Sequence, residues 1–167
     1  MNKTQMKTRK TGIIVLCLLI LFTIGFIWGN SMKSRSESQS LSLGVLQFIR
    51  PLLDAIFSPE NVNDHLVRKL AHFAEFTVLG AELALLSVLL GKRNLPSILN
   101  CLFAGLVVAV ADETIQIFSS RGSQVIDVVL DFSGVIAGTL LLLLLHAIVL
   151  IVRKRRIQNQ SKISGQA

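Results

Sequence analysis

The sequence predicts an all-α membrane protein of four transmembrane helices, with an outer amphipathic segment between the first and the second. Three observations predict this fold class. Of the 167 residues, 51% are hydrophobic and only 16% are charged, whereas soluble domains contain about 25% charged residues. The hydrophobic residues form long continuous blocks, which is typical of segments that cross a bilayer. The basic residues cluster at the ends of these blocks, as they do beside transmembrane helices.

The net charge of +7 reflects basic clusters near both ends of the chain. The bases that precede the first block and follow the last are Lys3, Lys7, Arg9, Lys10, Arg153, Lys154, Arg155, Arg156 and Lys162. Such clusters mark the cytoplasmic side of a membrane protein. We therefore expect a multi-pass protein of the cell membrane with both termini in the cytoplasm. Its expected partner is the lipid bilayer, and no nucleic-acid partner is expected.

The same clusters set the domain boundaries. Residues 1–11 are predicted to be a basic cytoplasmic leader, residues 12–152 a transmembrane domain, and residues 153–167 a basic cytoplasmic tail. The predicted spans cover about 12–29, 69–90, 96–118 and 125–152. The first hydrophobic run has about eighteen residues, which is longer than a secretory signal core, so we expect it to be retained. Both cysteines, Cys17 and Cys101, lie within spans, and no disulfide is expected.

The segment between the first two spans is predicted to lie along the outer interface. Residues 31–58 are first rich in serine and then amphipathic, and charged residues and a proline interrupt the hydrophobic residues. This stretch is too short and too interrupted to cross a bilayer. Ser58, Pro59 and Glu60 then resemble a helix start. They predict a second helix from Pro59 to about Leu90.

Six acidic residues fall inside the predicted spans: Glu75, Glu82, Asp112, Glu113, Asp127 and Asp131. Each such charge costs roughly 2.5–3.5 kcal/mol at a helix centre. With a helical rise of about 1.5 Å per residue, Glu75, Asp112 and Asp131 each lie about 9 Å below the outer boundary. Three acids on three helices therefore share one level, and packed helices are only about 8–10 Å apart. We expect these acids to converge.

Helical spacing supports the same expectation, because polar stripes avoid lipid and face one another. The second span carries a stripe of His65, Arg68, His72, Glu75 and Glu82. On the third span, Asp112 and Gln116 share a face. The fourth span carries Gln124, Asp127, Asp131, Gly134 and Gly138 on one face. The two glycines are expected to allow close helix approach.

Structural interpretations of these residues stay open at this point. Asp127 fits a charge that complements the dipole of the fourth helix. Glu113, about a hundred degrees from Asp112 around the helix, fits an interfacial acid. Glu82 fits a protonated group that bonds to a neighbouring hydroxyl. The whole polar network also fits a structural lock between helices.

Three ordered motifs in this sequence resemble those of VanZ-like proteins. They are Lys69-x-x-His72-Phe73-x-Glu75-Phe76-x-x-Leu79-Gly80, Asp112-Glu113-x-x-Gln116-x-Phe118-x-x-x-Arg121-Gly122 and Asp127-x-x-x-Asp131-x-x-Gly134-x-x-x-Gly138. The resemblance covers roughly residues 12–150. Phe76 replaces a common tyrosine, a usual proline before Arg121 is missing, and Asp131 replaces a frequent asparagine. The last departure adds a possible charge to the cluster.

The VanZ-like family is named for a protein associated with low-level teicoplanin resistance in Gram-positive bacteria. The resemblance therefore implies a protein of the cell envelope that contributes to glycopeptide resistance, and it implies no particular reaction. We expect it to bind or modify an outer-leaflet or cell-wall component. The candidate acid–base or binding residues are His72, Glu75, Asp112 and Asp131. The candidate ligand-binding residues are Arg68, Lys69, Glu113, Gln116, Arg121 and Asp127, of which the three bases would receive an anionic head group.

Several questions stay open in the sequence. No cofactor and no metal ligand are assigned, although His72 and Glu75 with Asp112 and Asp131 would suit a divalent cation. A proton- or ion-coupled transporter is one alternative function, and Glu82 favours it. A non-catalytic membrane partner protein is another. The sequence leaves both catalysis and the oligomeric state undetermined.

Overall fold

The computed structural model describes residues 3–56, 62–119 and 124–164. This part of the chain contains five α-helices and no strands. The helices are α1 (Lys3–Ser31), α2 (Arg35–Asp54), α3 (Asp64–Leu89), α4 (Leu95–Phe118) and α5 (Val125–Ser164). All except α2 are long and apolar enough to cross a membrane. The predicted fold class, four spanning helices with an amphipathic segment between the first and the second, is confirmed.

Helix α3 is the centre of the bundle, because it contacts each of the other four helices. It runs antiparallel to α1: Arg9 Nε donates to the carbonyl oxygen of Leu89 at one end, and Asn30 bonds to Glu75 near the other. We call the end where α1 begins and α5 finishes the terminal end. The opposite end, where α1 finishes and α3 begins, is called the α2 end.

Glycines bring α3 and α5 into backbone contact. A Cβ atom at Gly134 would lie 2.6 Å from the carbonyl oxygen of Phe73, and one at Gly138 would lie 1.9 Å from that of Thr77. On the α3 side, a Cβ at Gly80 would lie 2.2 Å from the carbonyl oxygen of Val135. No larger residue fits these positions without moving a backbone. The predicted close approach at Gly134 and Gly138 is therefore confirmed.

Helix α3 begins later than predicted. Val62 and Asn63 are not helical, and the Asn63 side chain caps the helix by accepting a hydrogen bond from the Leu66 amide at 2.9 Å. One helix running from Pro59 is therefore wrong, while Ser58, Pro59 and Glu60 themselves lie outside the described residues. The error arose because the sequence contains two helix-start signals, one at residues 58–60 and one at Asn63. An asparagine cap satisfies the orphan amides as well as a serine does.

The two basic ends of the chain continue the spanning helices. Helix α1 already begins at Lys3, before the first hydrophobic block, and α5 extends to Ser164, beyond the predicted span end at residue 152. Backbone hydrogen bonding continues the helix beyond the last hydrophobic residue. The hydrophobic pattern therefore predicts the apolar blocks more accurately than it predicts the helix ends.

The amphipathic helix α2 is held at its start by a capping box. The Ser34 side chain accepts from the Glu37 amide, and the Glu37 carboxylate accepts from the Ser34 amide at 2.9 Å. These hydrogen bonds to Ser34 lower the pKa of Glu37. The lowered pKa means that the cap stabilises α2 at neutral pH and loses this contribution as the pH falls through that pKa.

One face of α2 packs on the start of α3. The buried residues Ser42, Leu46 and Leu53 recur at helical spacing, and the two leucines form a small core with Val62 and Val67. This satellite core is separate from the main core between the spanning helices. It fixes α2 beside the polar end of the bundle.

We expect Leu46→Ala to loosen α2 locally. Removing a buried leucine costs about 2 kcal/mol or more, so hydrogen exchange of the α2 amides should accelerate at least about 30-fold. Leu43, on the same helix, is 43% exposed, and Leu43→Ala should change exchange little. Equal acceleration in both variants would show that the face of α2 is not specifically packed.

Candidate functional site

Three helices bring ionisable side chains together at the α2 end. His72 Nδ1 of α3 lies 3.7 Å from Asp112 Oδ2 of α4 and 3.8 Å from Asp131 Oδ1 of α5. Both carboxylates are buried, with exposures of 0% and 1%. The predicted convergence of Asp112 and Asp131 is confirmed, and we call His72, Asp112 and Asp131 the acid–histidine cluster.

Gln116 links two acids of α4 on the margin of this cluster. Its Nε2 atom donates to Asp112 Oδ2 and to Glu113 Oε1, both at 2.9 Å. Glu113 is only 4% exposed, so the interfacial interpretation of this residue is wrong. The hundred-degree offset between Asp112 and Glu113 was bridged by the long glutamine side chain, which lies one turn from both.

Glu75 is held by α1. Its Oε1 atom accepts a hydrogen bond from Asn30 Nδ2 at 3.0 Å. The neighbouring Ser31 is fully buried and lies 3.5 Å from Gln116 Nε2. Asn30 and Ser31 were missed in the sequence, because polar residues at the end of a span look like ordinary interfacial residues. Their position at the end of the first predicted span, two and three residues after Trp28, was the available signal.

The basic residues of α3 are paired with acids near the cluster. Lys69 Nζ lies 3.3 Å from Asp127 Oδ1, and Arg68 lies 3.4 Å from Asp64. Asp127 is also in the first turn of α5, so pairing and the helix dipole both stabilise its charge. Arg121, the third predicted base, lies outside the described residues.

Glu82 lies deeper in the bundle and is separate from the cluster. Its Oε1 atom accepts a hydrogen bond from Thr23 Oγ1 at 3.1 Å. This is the bond to a neighbouring hydroxyl that the structural interpretation of Glu82 expects. It ties α3 to α1 at mid-height.

A polar cavity of about 130 Å³ opens beside the cluster. Both signs of charge line it, together with amide and imidazole groups. The lining residues are Arg35, His65, Arg68, Lys69, His72, Glu113, Gln116, Gln124, Asp127, Leu130 and Asp131. Arg35 comes from α2 and was not predicted from the sequence. Helix α2 thus contributes a cation to a site whose acids come from the spanning helices.

A second, mainly apolar groove of about 220 Å³ lies between α1, α2 and α3. Its apolar lining residues are Leu41, Val45, Val67 and Ala71. Arg68 and His72 line both the groove and the polar cavity. The two spaces are therefore neighbours that share a wall. Charged and polar groups line the first, whereas the second exposes mainly apolar surface, although Lys33 and Glu75 also line it.

Four apolar helices around a buried acid–histidine cluster define a multi-pass α-helical membrane protein with a polar site at one end of its bundle. A family model described as VanZ/LLP1 matches residues 12–146, which is most of the chain. The chain therefore belongs to the VanZ/LLP1 family, and the resemblance seen in its three motifs is confirmed. No curated protein and no solved structure matches it.

Proposed function

We propose that this protein acts in the bacterial cell membrane with both termini in the cytoplasm and the α2 end outside. There it binds an outer-leaflet component that has an anionic head group and a lipid chain, and it thereby contributes to teicoplanin resistance. The resistance part of the proposal is supported by membership of the VanZ/LLP1 family. The binding part is supported by the site itself.

The orientation is supported by the distribution of charge. The first ten residues, the α3–α4 turn and the segment after residue 152 carry bases without any acid. At the α2 end, bases are accompanied by Glu37, Asp54 and Asp64. The cytoplasmic side of a membrane protein is the side with the excess of Lys and Arg. In the proposed orientation, the polar cavity and the groove lie at the outer leaflet.

The single observation that carries the ligand class is the shared wall of cavity and groove. Arg35, Arg68 and Lys69 line the cavity and suit an anionic head group. The adjoining groove offers hydrocarbon contacts at the same level. A free polar solute would leave the groove unused, and a neutral lipid would bring no negative charge to the cations of the cavity. An anionic lipid or a lipid-linked envelope precursor uses both.

The cluster offers chemistry as well as binding. A histidine beside two buried carboxylates provides a proton acceptor and a proton donor at the cavity wall, which is what modification of a bound head group would need. The transporter alternative has weaker support, because Glu82 is bonded to Thr23. A polar route past it would have to cross the almost wholly apolar stretches 99–110 of α4 and 140–145 of α5.

The test is teicoplanin susceptibility of a Gram-positive host that expresses the protein. We expect wild type to raise resistance, and His72→Ala, Glu75→Gln and Asp112→Asn to return susceptibility to that of the empty host at equal membrane abundance. The matched control is Glu82→Gln, which alters an acid within a span but outside the site and keeps the oxygen that accepts from Thr23. It should behave as wild type.

Ligand class is tested on the purified protein. We expect mass spectrometry to find co-purifying anionic lipid, and Arg68→Gln with Lys69→Gln to reduce its amount. Added anionic lipid should displace it, whereas inorganic phosphate should not. Wild type that neither changes susceptibility nor retains anionic lipid would refute the proposal and favour a partner-protein role.

A further inference from the structure

We propose that His72, Asp112 and Asp131 together bind one divalent transition-metal cation at the wall of the polar cavity. The inference deepens the proposed function by naming a cofactor for the same site. It rests on that function for the ion's role, but not for its binding.

The ligand atoms have the spacing of a coordination site. One atom from each of the three residues lies within 4.8 Å of the other two. Metal bonds to imidazole nitrogen and carboxylate oxygen are about 2.0–2.2 Å long, which separates neighbouring ligand atoms by roughly 3–3.5 Å in common geometries. The observed separations of 3.7 and 3.8 Å from His72 Nδ1 are only slightly wider. Small side-chain rotations would let all three bind one ion.

Asp131 is a buried acid that lacks a hydrogen-bond donor in the described part of the chain. Its side chain is 1% exposed, and neither carboxylate oxygen accepts a hydrogen bond from any residue that the structure describes. Its distance of 3.8 Å to His72 Nδ1 is too long for a hydrogen bond. An uncompensated carboxylate in a spanning helix is costly. A cation between Asp131, His72 and Asp112 would supply the missing interaction.

The charge balance points to a divalent ion. Asp112 and Asp131 bring two carboxylates, while the two α3 bases beside the cluster are paired with other acids: Lys69 with Asp127 and Arg68 with Asp64. A divalent cation would neutralise the two carboxylates, and imidazole is neutral when it binds a metal. Mixed imidazole and carboxylate ligands suit zinc, manganese or iron better than magnesium or calcium.

The scaffold holds the ligands as metal sites require. Gln116 bonds to Asp112 and orients its carboxylate. Gly134, three residues after Asp131, lets α5 approach α3 at Phe73, the residue next to His72. His72 and Asp131 both line the polar cavity, so an ion here would keep open positions toward it. Those positions would be available to an oxygen of an anionic head group.

The experiment uses the full-length protein, purified in detergent without a histidine tag and treated with EDTA. It is then loaded with ZnCl₂ or MnCl₂, desalted, and measured by elemental analysis and thermal unfolding. We expect one ion per chain and a higher unfolding midpoint in the loaded protein. Asp131→Asn and His72→Gln should lose the ion, and Gln116→Ala should weaken it about 10–100-fold. Glu82→Gln should bind as wild type does.

A single monodisperse peak in size-exclusion chromatography establishes that each variant is folded. If Asp131→Asn does not fold, His72→Gln provides the test of the metal site. Folded wild type that binds neither ion would overturn the proposal, as would His72→Gln that binds like wild type. These readouts are independent of the antibiotic and lipid assays. If the protein binds metal but neither changes teicoplanin susceptibility nor retains anionic lipid, the metal site stands and the proposed function is refuted. If the protein confers resistance but binds no metal, the metal site is refuted and the proposed function stands.

Discussion

Replacing Gly138 by alanine is expected to prevent α5 from packing on α3. The new Cβ would lie 1.9 Å from the carbonyl oxygen of Thr77 and 2.9 Å from the amide nitrogen of Ala81. Both are backbone atoms, so no side-chain rotation relieves the clash and the helices must separate. Overpacking costs about 1–3 kcal/mol in ordinary cores, and a backbone clash belongs at the upper end. The midpoint temperature of unfolding in detergent and the abundance of the protein in the membrane should both fall sharply.

Gly25→Ala is the matched control for this prediction. Gly25 lies in the spanning helix α1, and nothing lies within 4 Å of a Cβ added there. Alanine has a higher helix propensity than glycine by about 0.8–1.0 kcal/mol, so Gly25→Ala should retain or raise stability. If the two substitutions have the same effect, backbone contact between α3 and α5 does not hold the bundle together.

The second large effect is an all-or-none difference in labelling across the membrane. In a background with Cys17→Ser and Cys101→Ser, we expect Gln39→Cys to react with a membrane-impermeant maleimide in intact cells. Gln39 is exposed on α2 at the proposed outer end. Lys92→Cys, exposed in the α3–α4 turn, should react only after the cells are permeabilised. The physical reason is the excess of basic residues at the terminal end.

Labelling of Lys92→Cys but not of Gln39→Cys in intact cells would reverse the orientation. The acid–histidine cluster would then face the cytoplasm, and the proposed outer-leaflet ligand would be excluded. The fold, the cluster and the proposed metal site would be unaffected, because none of them depends on the direction of insertion.

Much of the site could be predicted because a spanning helix has a fixed rise and a fixed period. Counting residues from the span ends put Asp112 and Asp131 at one level, and the i, i+3 and i+4 spacing put His72 on the facing stripe. The partners within the cluster could not be assigned in this way. Whether Glu75 bonds to α1 or to α5 depends on how α3 is rotated against its neighbours, which side-chain packing decides.

The residues that were missed share a cause. Asn30 and Ser31 are the last two residues of α1 and Arg35 is the first residue of α2, a region where polar residues are common beside any membrane. The role of Arg35 arises because α2 folds back over α3 through Leu46 and Leu53, and those of Asn30 and Ser31 arise because α1 packs against α3 and α4. That packing is a tertiary event between segments whose individual patterns are unremarkable. The predicted start of α3 was wrong for a related reason, because a local capping signal in the sequence does not reveal where the folded helix begins.

The pairing of α3 with α5 bears on how the protein is made. The two helices are separated in the chain by the whole of α4 (Leu95–Phe118), so their backbone contact forms only after the last helix has been synthesised. Until then, the nascent chain holds Asp112 and Glu113 in the membrane without the helix that carries Asp131. During biogenesis, therefore, the cluster is completed last, and a ribosome that stalls before residue 125 leaves an insertion intermediate whose small-residue face on α3 is uncovered.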